Sequence, residues 1–504
     1  MAEKQHGEHS LKKGMLGVAG IVFFVVAASA PLVGMTGAVP VAMLAGNGAA
    51  APGAYLAVGI ALLIFSVGYA AMSNKVTNAG AFFAYVGRGL GHNMGIASAF
   101  ASIVGYVTIQ LAIYGFFGGL LSGQVATSTN GAINWPWYVW TLIAWAVVTG
   151  LSSLGVDIGA KVLGALMLLE LLSLVTAGVA ILSNGGPEGI NLDASFNPAN
   201  IFVGGFGGGA GIAIAFAFAS FIGFEATAIY GEESKDPKRT VPKATYWAIG
   251  IITGLFSLVS LAMVTGMGAS KIMDEVVARS SIDKVPLANP AGVLFSLTDQ
   301  YVGPWLTNIM TWLVVSSLFA GLLAFQNATS RYFFALGRAR VLPAALGKTN
   351  RHSSPLNGVY LTSALALVVI VIFAVAKLDP ILNLFFWMSA ITAIAIIFVE
   401  VLVSMAVIAH FIREGGANVW QSKIAPAIAI VALVLGEYLL MSRFNLLAGT
   451  SADGVDPSLP ESAWQMSTLG WILALSPFIA AVAGYVWAMA DKKAKNSIAD
   501  DVLS

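Results

Sequence analysis

The sequence predicts an all-α integral membrane protein: 12 transmembrane helices, a 5+5 inverted repeat plus two C-terminal helices. Three observations predict it. Hydrophobic residues make up 58% of the 504 positions and charged residues only 10%, against roughly 25% charged in a soluble domain. Apolar segments of about 20 residues, enough for a helix to cross a core of roughly 30 Å, recur twelve times. Lys and Arg also collect on alternate loops, with twenty on one side and five on the other, the asymmetry that orients membrane proteins.

In chain order, the segments cover residues 17–44, 53–73, 95–122, 134–152, 159–183, 205–231, 242–266, 303–330, 358–377, 381–411, 422–441 and 468–490. Lys12, Lys13 and the apolar run before Ala28-Ser29-Ala30 imitate a secretory leader, but the run continues to Leu44 and is long enough to span. With both termini cytoplasmic, the five outer cations are Lys271, Arg279, Lys284, Lys377 and Arg443. The division expected is a cytoplasmic tail 1–16, a first repeat 17–183, a second repeat 203–413, helices eleven and twelve in 420–490, and a cytoplasmic tail 491–504. The external stretch Met267 to Pro290 mixes Ile272, Val276, Val277 and Ile282 with charges and reads as an amphipathic lid or as a solvated loop with one short helix.

Several functions are disfavoured by composition. A net charge of +1 without a basic tract offers nothing to a nucleic acid. The chain has no cysteine, its five histidines are scattered, and no metal site or other cofactor is expected. The glycine run Gly204 to Gly211 lacks the preceding strand and the Lys-Ser/Thr pair of a phosphate loop. No His/Asp or Ser/His cluster points to an enzyme.

Two segments carry breaks. Pro31 follows Ala28-Ser29-Ala30 in the first, and Ser220-Phe221-Ile222-Gly223 precedes Glu225 in the sixth. Interrupted helices five spans apart point to inverted repeats with a substrate site between them. A carboxylate at membrane depth is costly and is a functional hypothesis by default. Four stand within spans, Glu170, Glu225, Glu400 and Glu437, and no Lys or Arg is expected at that depth to pair with them. Glu225 reads as a substrate or proton site, and Glu170, set among leucines, as a proton carrier or an interhelical hydrogen bond. Glu400 is equally open to both readings, and Glu437 reads as structural. Tyr106, Gln110 and Tyr114 share one helical face, lining a polar path or simply packed. Ser316 and Ser317 are possible ion ligands or helix-packing residues.

The block Ser220-Phe221-Ile222-Gly223-Phe224-Glu225, then Gly231-Glu232-Glu233, Asp236-Pro237, Arg239, Val241 and Pro242-Lys243-Ala244, resembles the amino acid, polyamine and organocation transporter superfamily. Ser330-Arg331, Gly337-Arg338, Leu342-Pro343 and Ser354-Pro355 extend the resemblance. It implies the leucine-transporter fold and alternating access. It also implies that Ser29, Ala30 and Pro31 face Phe221, Ile222, Gly223 and Phe224 at the substrate, and that Glu225 matches the acidic coupling residue. The position at which several members carry a sodium-replacing lysine falls at Glu170 here, and Ala27 to Pro31 resembles the putrescine-type permeases.

The function expected is import of an amino acid or polyamine-like amine across the cytoplasmic membrane, coupled to protons through Glu225 and Glu170. Sodium coupling or exchange is the nearer alternative, and a channel or a transporter-like sensor the more distant one. The lipid bilayer is the only other partner expected.

Overall fold

The computed structural model describes Leu11 and residues 14–154, 156–281, 284, 286–287, 289–350 and 353–490, with the backbone alone for 156–163. The whole expected tail 491–504 and most of the tail 1–16 lie outside these residues, as do Lys4, Lys12, Lys13, Arg351, Lys492, Lys493 and Lys495 of the charge count and Ile282 of the Met267 to Pro290 stretch. Among the described residues the only β-pairings are two isolated bridges, Leu16 with Ser234 and Ser451 with Met466. In hydrocarbon every backbone N–H and C=O needs an internal partner, which a helix supplies from its own segment.

The principal helices are α1 (Val18–Ser29), α2 (Pro31–Thr36), α3 (Ala51–Ser73), α4 (Phe82–Leu90), α5 (His92–Ser128), α6 (Trp137–Ser153) and α7 (Val156–Asn184). After these come α8 (Gly209–Ser220), α9 (Pro237–Met267), α10 (Ile272–Ser280), α11 (Ala291–Tyr301), α12 (Pro304–Arg338), α13 (Leu356–Val375), α14 (Phe386–Glu414), α15 (Ala425–Ser442) and α16 (Thr468–Ala490). Among the described residues eleven helical segments are long and apolar enough to cross a membrane. The expected fourth span, α6, has 17 residues, at the short end of the spanning range, so a total of twelve depends on it.

Burial sorts each helix into a packed stripe and a lipid-facing one. In α7, Met167, Glu170, Leu174, Ala177 and Ile181 point inward, while Leu168, Leu169, Leu172, Val175 and Val179 are exposed, the three-and-four spacing of one helical face. Leu168, Leu169 and Leu172, near Glu170 in sequence, therefore turn away from it, while Leu171 packs partly against the core. Likewise α13 buries Thr362, Ala366, Ile370 and Phe373 and exposes Val368, Val371, Ile372 and Val375. At the centre, α1 packs on α7, α9 and α12, and α8 packs on α3 and α15. Within the stretch expected outside the membrane, Ile272–Ser280 forms α10, which buries Ile272 and Val276.

Both expected breaks interrupt the backbone. Ala30 adopts φ 42°, ψ 67° between α1 and α2, a left-handed conformation costing a non-glycine residue roughly 1–2 kcal/mol. Proline disfavours a helical conformation in the residue before it, so the chain does not kink through Pro31; it stops and restarts there. The sixth segment is α-helical only for the 12 residues of α8. It then turns at Gly223, φ 112°, into a 3₁₀ turn over Phe224–Ala228.

Candidate functional site

The two breaks meet. A Cβ placed on Gly223 would lie 3.0 Å from the Cβ of Ala28 and 3.3 Å from the amide nitrogen of Ser29. Positive φ and close approach both require glycine here. The turn aims Glu225 back at its own backbone: Oε2 accepts the Gly223 N–H at 2.7 Å, and Oε1 lies 3.5 Å from the hydroxyl of Tyr106, on α5. Tyr69 of α3 donates to the Glu225 carbonyl at 2.6 Å. The glutamate is fully buried, yet its carboxylate contacts are one amide and one long hydroxyl bond. Among the described contacts no cation reaches it.

Glu170 supports the other break. Its Oε1 accepts the Leu32 N–H at 2.8 Å across 138 residues of sequence. Leu32 is the second residue of α2, and an amide in the first turn has no intrahelical acceptor. A carboxylate there also complements the positive end of the helix. Ser317 of α12 lies beside the same carboxyl, whereas Ser316 turns to the Leu313 carbonyl of its own helix at 3.0 Å. The Ser29 hydroxyl likewise bonds its own helix, at Val26 O, 2.9 Å.

Phe221, Ile222 and Phe224 line a small cavity with Leu62, Phe218, Ile396, Ile397 and Glu400. Its volume is about 10 Å³, and Glu400 supplies the one polar side chain of its lining. Phe221 packs on the ring of Phe256, centroids 5.9 Å apart, and Phe224 meets Phe65 edge-on at the same separation. Gln110 lies elsewhere: its Nε2 donates to Gln326 Oε1 at 3.2 Å, and Gln326 reaches the Val359 carbonyl and the Ser363 hydroxyl. Tyr114 is buried on the same side of α5. Of the tyrosine–glutamine face, only Tyr106 touches the break.

The charges after the sixth segment are held in place: Arg331 of α12 and Glu233 form an ion pair at 2.5 and 3.0 Å with side chains only 2% and 6% exposed. Arg331 also bonds the Asn327 carbonyl at 3.0 Å and lies 5.4 Å above the ring of Tyr230. Tyr230 in turn stacks on Phe24 of α1. Beside it Glu232 takes two bonds from Arg338, at 2.6 and 3.0 Å, and one from the Ala79 N–H at 2.8 Å. The N-terminal segment closes over this pair, with Met15 and Leu16 donating to the Glu233 carbonyl and Lys235 to the Leu16 carbonyl. A sequence signal existed in Gly231-Glu232-Glu233 and Ser330-Arg331, but nothing in either run shows that the two meet. Elsewhere in the bundle, a wide hollow of about 560 Å³ borders Glu275, Arg279 and Gln300.

Two broken helices face each other around a buried carboxylate, inside a bundle of apolar helices long enough to cross a membrane, the architecture of a multi-pass membrane protein. Residues 12–495 match the family described as amino acid permease, and the chain belongs to that family. It is 30% identical over 197 residues to the branched-chain amino acid permease BcaP of Lactococcus lactis subsp. cremoris, covering 39% of this chain and 38% of that protein. The BcaP of Bacillus subtilis is 26% identical over 339 residues, 62% of this chain and 66% of the relative. The histidine permease of Saccharomyces cerevisiae is 24% identical over 243 residues, 47% and 38%.

Proposed function

We propose that this permease is a secondary active importer of an amino acid in the cytoplasmic membrane, working by alternating access and coupled to protons. The observation that carries the proposal is the meeting of the two breaks around Glu225. Unwound backbone between half-helices offers amides to a substrate carboxylate and carbonyls to its ammonium. Ala30 and Pro31 shape one wall, and Phe221, Ile222 and Phe224 supply an apolar one. That wall, together with the names of the two bacterial relatives, supports an aliphatic amino acid over a polyamine-like amine. Residues 17–183 and 203–413 are the two repeats, and both termini face the cytoplasm. In that orientation the Arg331–Glu233 and Arg338–Glu232 pairs close the inner side. Substrate entering from outside would leave only after they part.

Proton coupling rests on Glu225 and Glu170, the carboxylates that hold the two breaks. Each can accept its backbone amide only through an oxygen lone pair, so changing its protonation changes how firmly a break is held. Sodium is the second reading, favoured by Ser317 beside Glu170 near the first break. The test is uptake of labelled leucine into liposomes carrying the purified protein. Accumulation driven by a pH gradient and absent with Glu225→Gln is the expected outcome. Accumulation that follows a sodium gradient and ignores pH refutes proton coupling, while uptake that neither saturates nor shows counterflow points to a channel.

A further inference from the structure

Away from both breaks, the hollow of about 560 Å³ is bordered by parts of four helices. Asn184 ends α7 and Met267 ends α9; both line it, as do Glu275 and Arg279 of α10 and Gln300 and Tyr301 of α11. Small-molecule sites run from roughly 300 to 1,000 Å³, so a small ligand has room here. One wall depends on Gly186, at φ 59°, where a Cβ would stand 1.9 Å from the Thr265 carbonyl oxygen. Only glycine lets the chain after α7 pass so close to the end of α9.

The local sequence sets up the chemistry. Ile272 and Val276 dock α10 on the bundle, and Glu275 and Arg279, four positions apart, share a neighbouring stripe. Arg279 Nε donates to Glu275 Oε2 at 2.9 Å, Nη1 to Ser296 Oγ at 3.0 Å and Nη2 to Gln300 Oε1 at 3.0 Å. The guanidinium is thus fixed by side chains of both α10 and α11. Of its five N–H groups, one on each Nη stays unused, and the described contacts give Glu275 Oε1 no donor. Neither side chain is sealed off, Arg279 being 19% and Glu275 33% exposed. A surface pair at this spacing adds little to helix stability, and it would need neither the bonds from α11 nor a hollow in front of it.

We propose that this hollow is a second binding site of the permease, on its outer side, for a zwitterionic amino acid. A lone anion there would face Glu275 and a lone cation would face Arg279, whereas a ligand with a carboxylate and an ammonium on one carbon satisfies both. The carboxylate takes the remaining Nη hydrogens of Arg279, since a guanidinium can hold two oxygens at once. The ammonium donates to Glu275 Oε1, and Pro187, Met267 and the Tyr301 ring offer apolar surface to an aliphatic side chain. Because the guanidinium is already oriented, little ordering opposes binding. The site is separate from the breaks: Asn184 stands about 20 Å along α7 from Glu170, at about 1.5 Å per residue, and no residue of either break lines the hollow. Its outward position and the choice of leucine as probe rest on the importer reading above.

The test is equilibrium dialysis of the purified full chain against labelled leucine. The wild-type chain is expected to hold two leucines and Gly223→Ala, which disturbs the site at the breaks, to hold one. Adding Arg279→Gln to Gly223→Ala should weaken that remaining site about tenfold or more, the effect of losing a charge-assisted hydrogen bond, while Arg279→Gln alone keeps the leucine at the breaks. Should Arg279→Gln fail to fold, Glu275→Gln decides, since it removes the acceptor for the ammonium and leaves the bonds of Arg279 to Ser296 and Gln300 in place. In Gly223→Ala, 4-methylpentanoate, which lacks the ammonium, and leucinamide, which lacks the carboxylate, should compete about tenfold more weakly than leucine or worse. Displacement by either as strong as by leucine overturns the zwitterion assignment. A single leucine per wild-type chain, lost in Gly223→Ala and kept in Arg279→Gln, overturns the outer site and leaves the importer reading standing. Leucine held at an Arg279-dependent site by a chain that takes none up in liposomes overturns the importer reading and leaves the outer site standing. No leucine bound at all overturns the outer site.

Discussion

Two regions of this permease handle buried carboxylates in opposite ways. Where the N-terminal segment closes the bundle, the carboxylates of Glu232 and Glu233 are each held by an arginine, Arg338 and Arg331, and that of Glu232 also by the Ala79 N–H. At the broken helices Glu170 is held by the Leu32 amide and Glu225 by the Gly223 amide and the Tyr106 hydroxyl, and the described contacts bring no cation to them or to Glu400 and Glu437. A fixed cation makes a carboxylate a permanent fastener. Without one the charge must be met by something exchangeable, a proton or the ammonium of a substrate, as the proposed coupling requires. Depth alone does not make the difference, since Glu233 and Glu225 are both almost fully buried.

The largest effect is expected at the fastener. Arg331→Ala leaves Glu233 buried and uncompensated, which costs about 3–5 kcal/mol, while Arg331→Met with Glu233→Leu removes both charges and should recover most of it. Thermal unfolding of the purified variants measures this, and equal loss in the single and double variants would show that the pair does not act as a unit. The chain has no native cysteine, so a single Ser234→Cys reports opening directly: thiol labelling at that position should quicken in the double variant if the pairs are the inner gate.

Next comes the break. Gly223→Ala meets Ala28 at 3.0 Å with φ at 112°, and the left-handed backbone alone costs roughly 1–2 kcal/mol. Uptake should fall much further than folding does, because the clash separates the two half-helices. Uptake unchanged at normal expression would remove the substrate site from this contact. A smaller loss is expected for Glu170→Ala, which strips the Leu32 amide of its acceptor at a cost of about 1–3 kcal/mol. Glu170→Gln keeps a carbonyl acceptor and should restore stability without restoring proton-driven accumulation; recovery of both would make Glu170 a structural residue only.

The smallest effect belongs to an exposed carboxylate, a third case for comparison. Glu188 accepts from the backbone N–H and the hydroxyl of Ser270, and these bonds hold its carboxyl below the usual value of 4.5. A depressed pKa means the contact is complete above the ordinary carboxylate range and is lost as pH falls through the lowered value. Hydrogen exchange at the Ser270 amide should quicken only at acidic pH, with little change in overall stability. Exchange independent of pH would mean that the charged form contributes nothing there.

The breaks were legible in the chain because proline and glycine act locally: Pro31 restricts the residue before it, and Gly223 is the residue type that a positive φ demands. Glu225 stood out for the same reason, a charge in an apolar run. The long-range partners of these glutamates and of Gln110 were not legible. Tyr69, Leu32 and Gln326 carry no signal in their own surroundings, and Tyr69 meets Glu225 across 156 positions, Leu32 meets Glu170 across 138 and Gln326 meets Gln110 across 216. Gln110 shared a face with Tyr106 in the sequence, yet the helices packed against that face sent the two side chains to different neighbours.

By itself the sequence determined the membrane class, the succession of apolar helices and the places where a helix must stop, since hydropathy and backbone preference depend on neighbouring residues. Only the tertiary structure decided which carboxylates received an arginine, which received one amide and which received nothing. Those outcomes depend on which helices come together, and charge is neutralised by whatever lies within a few ångströms in space, however far away it is along the chain.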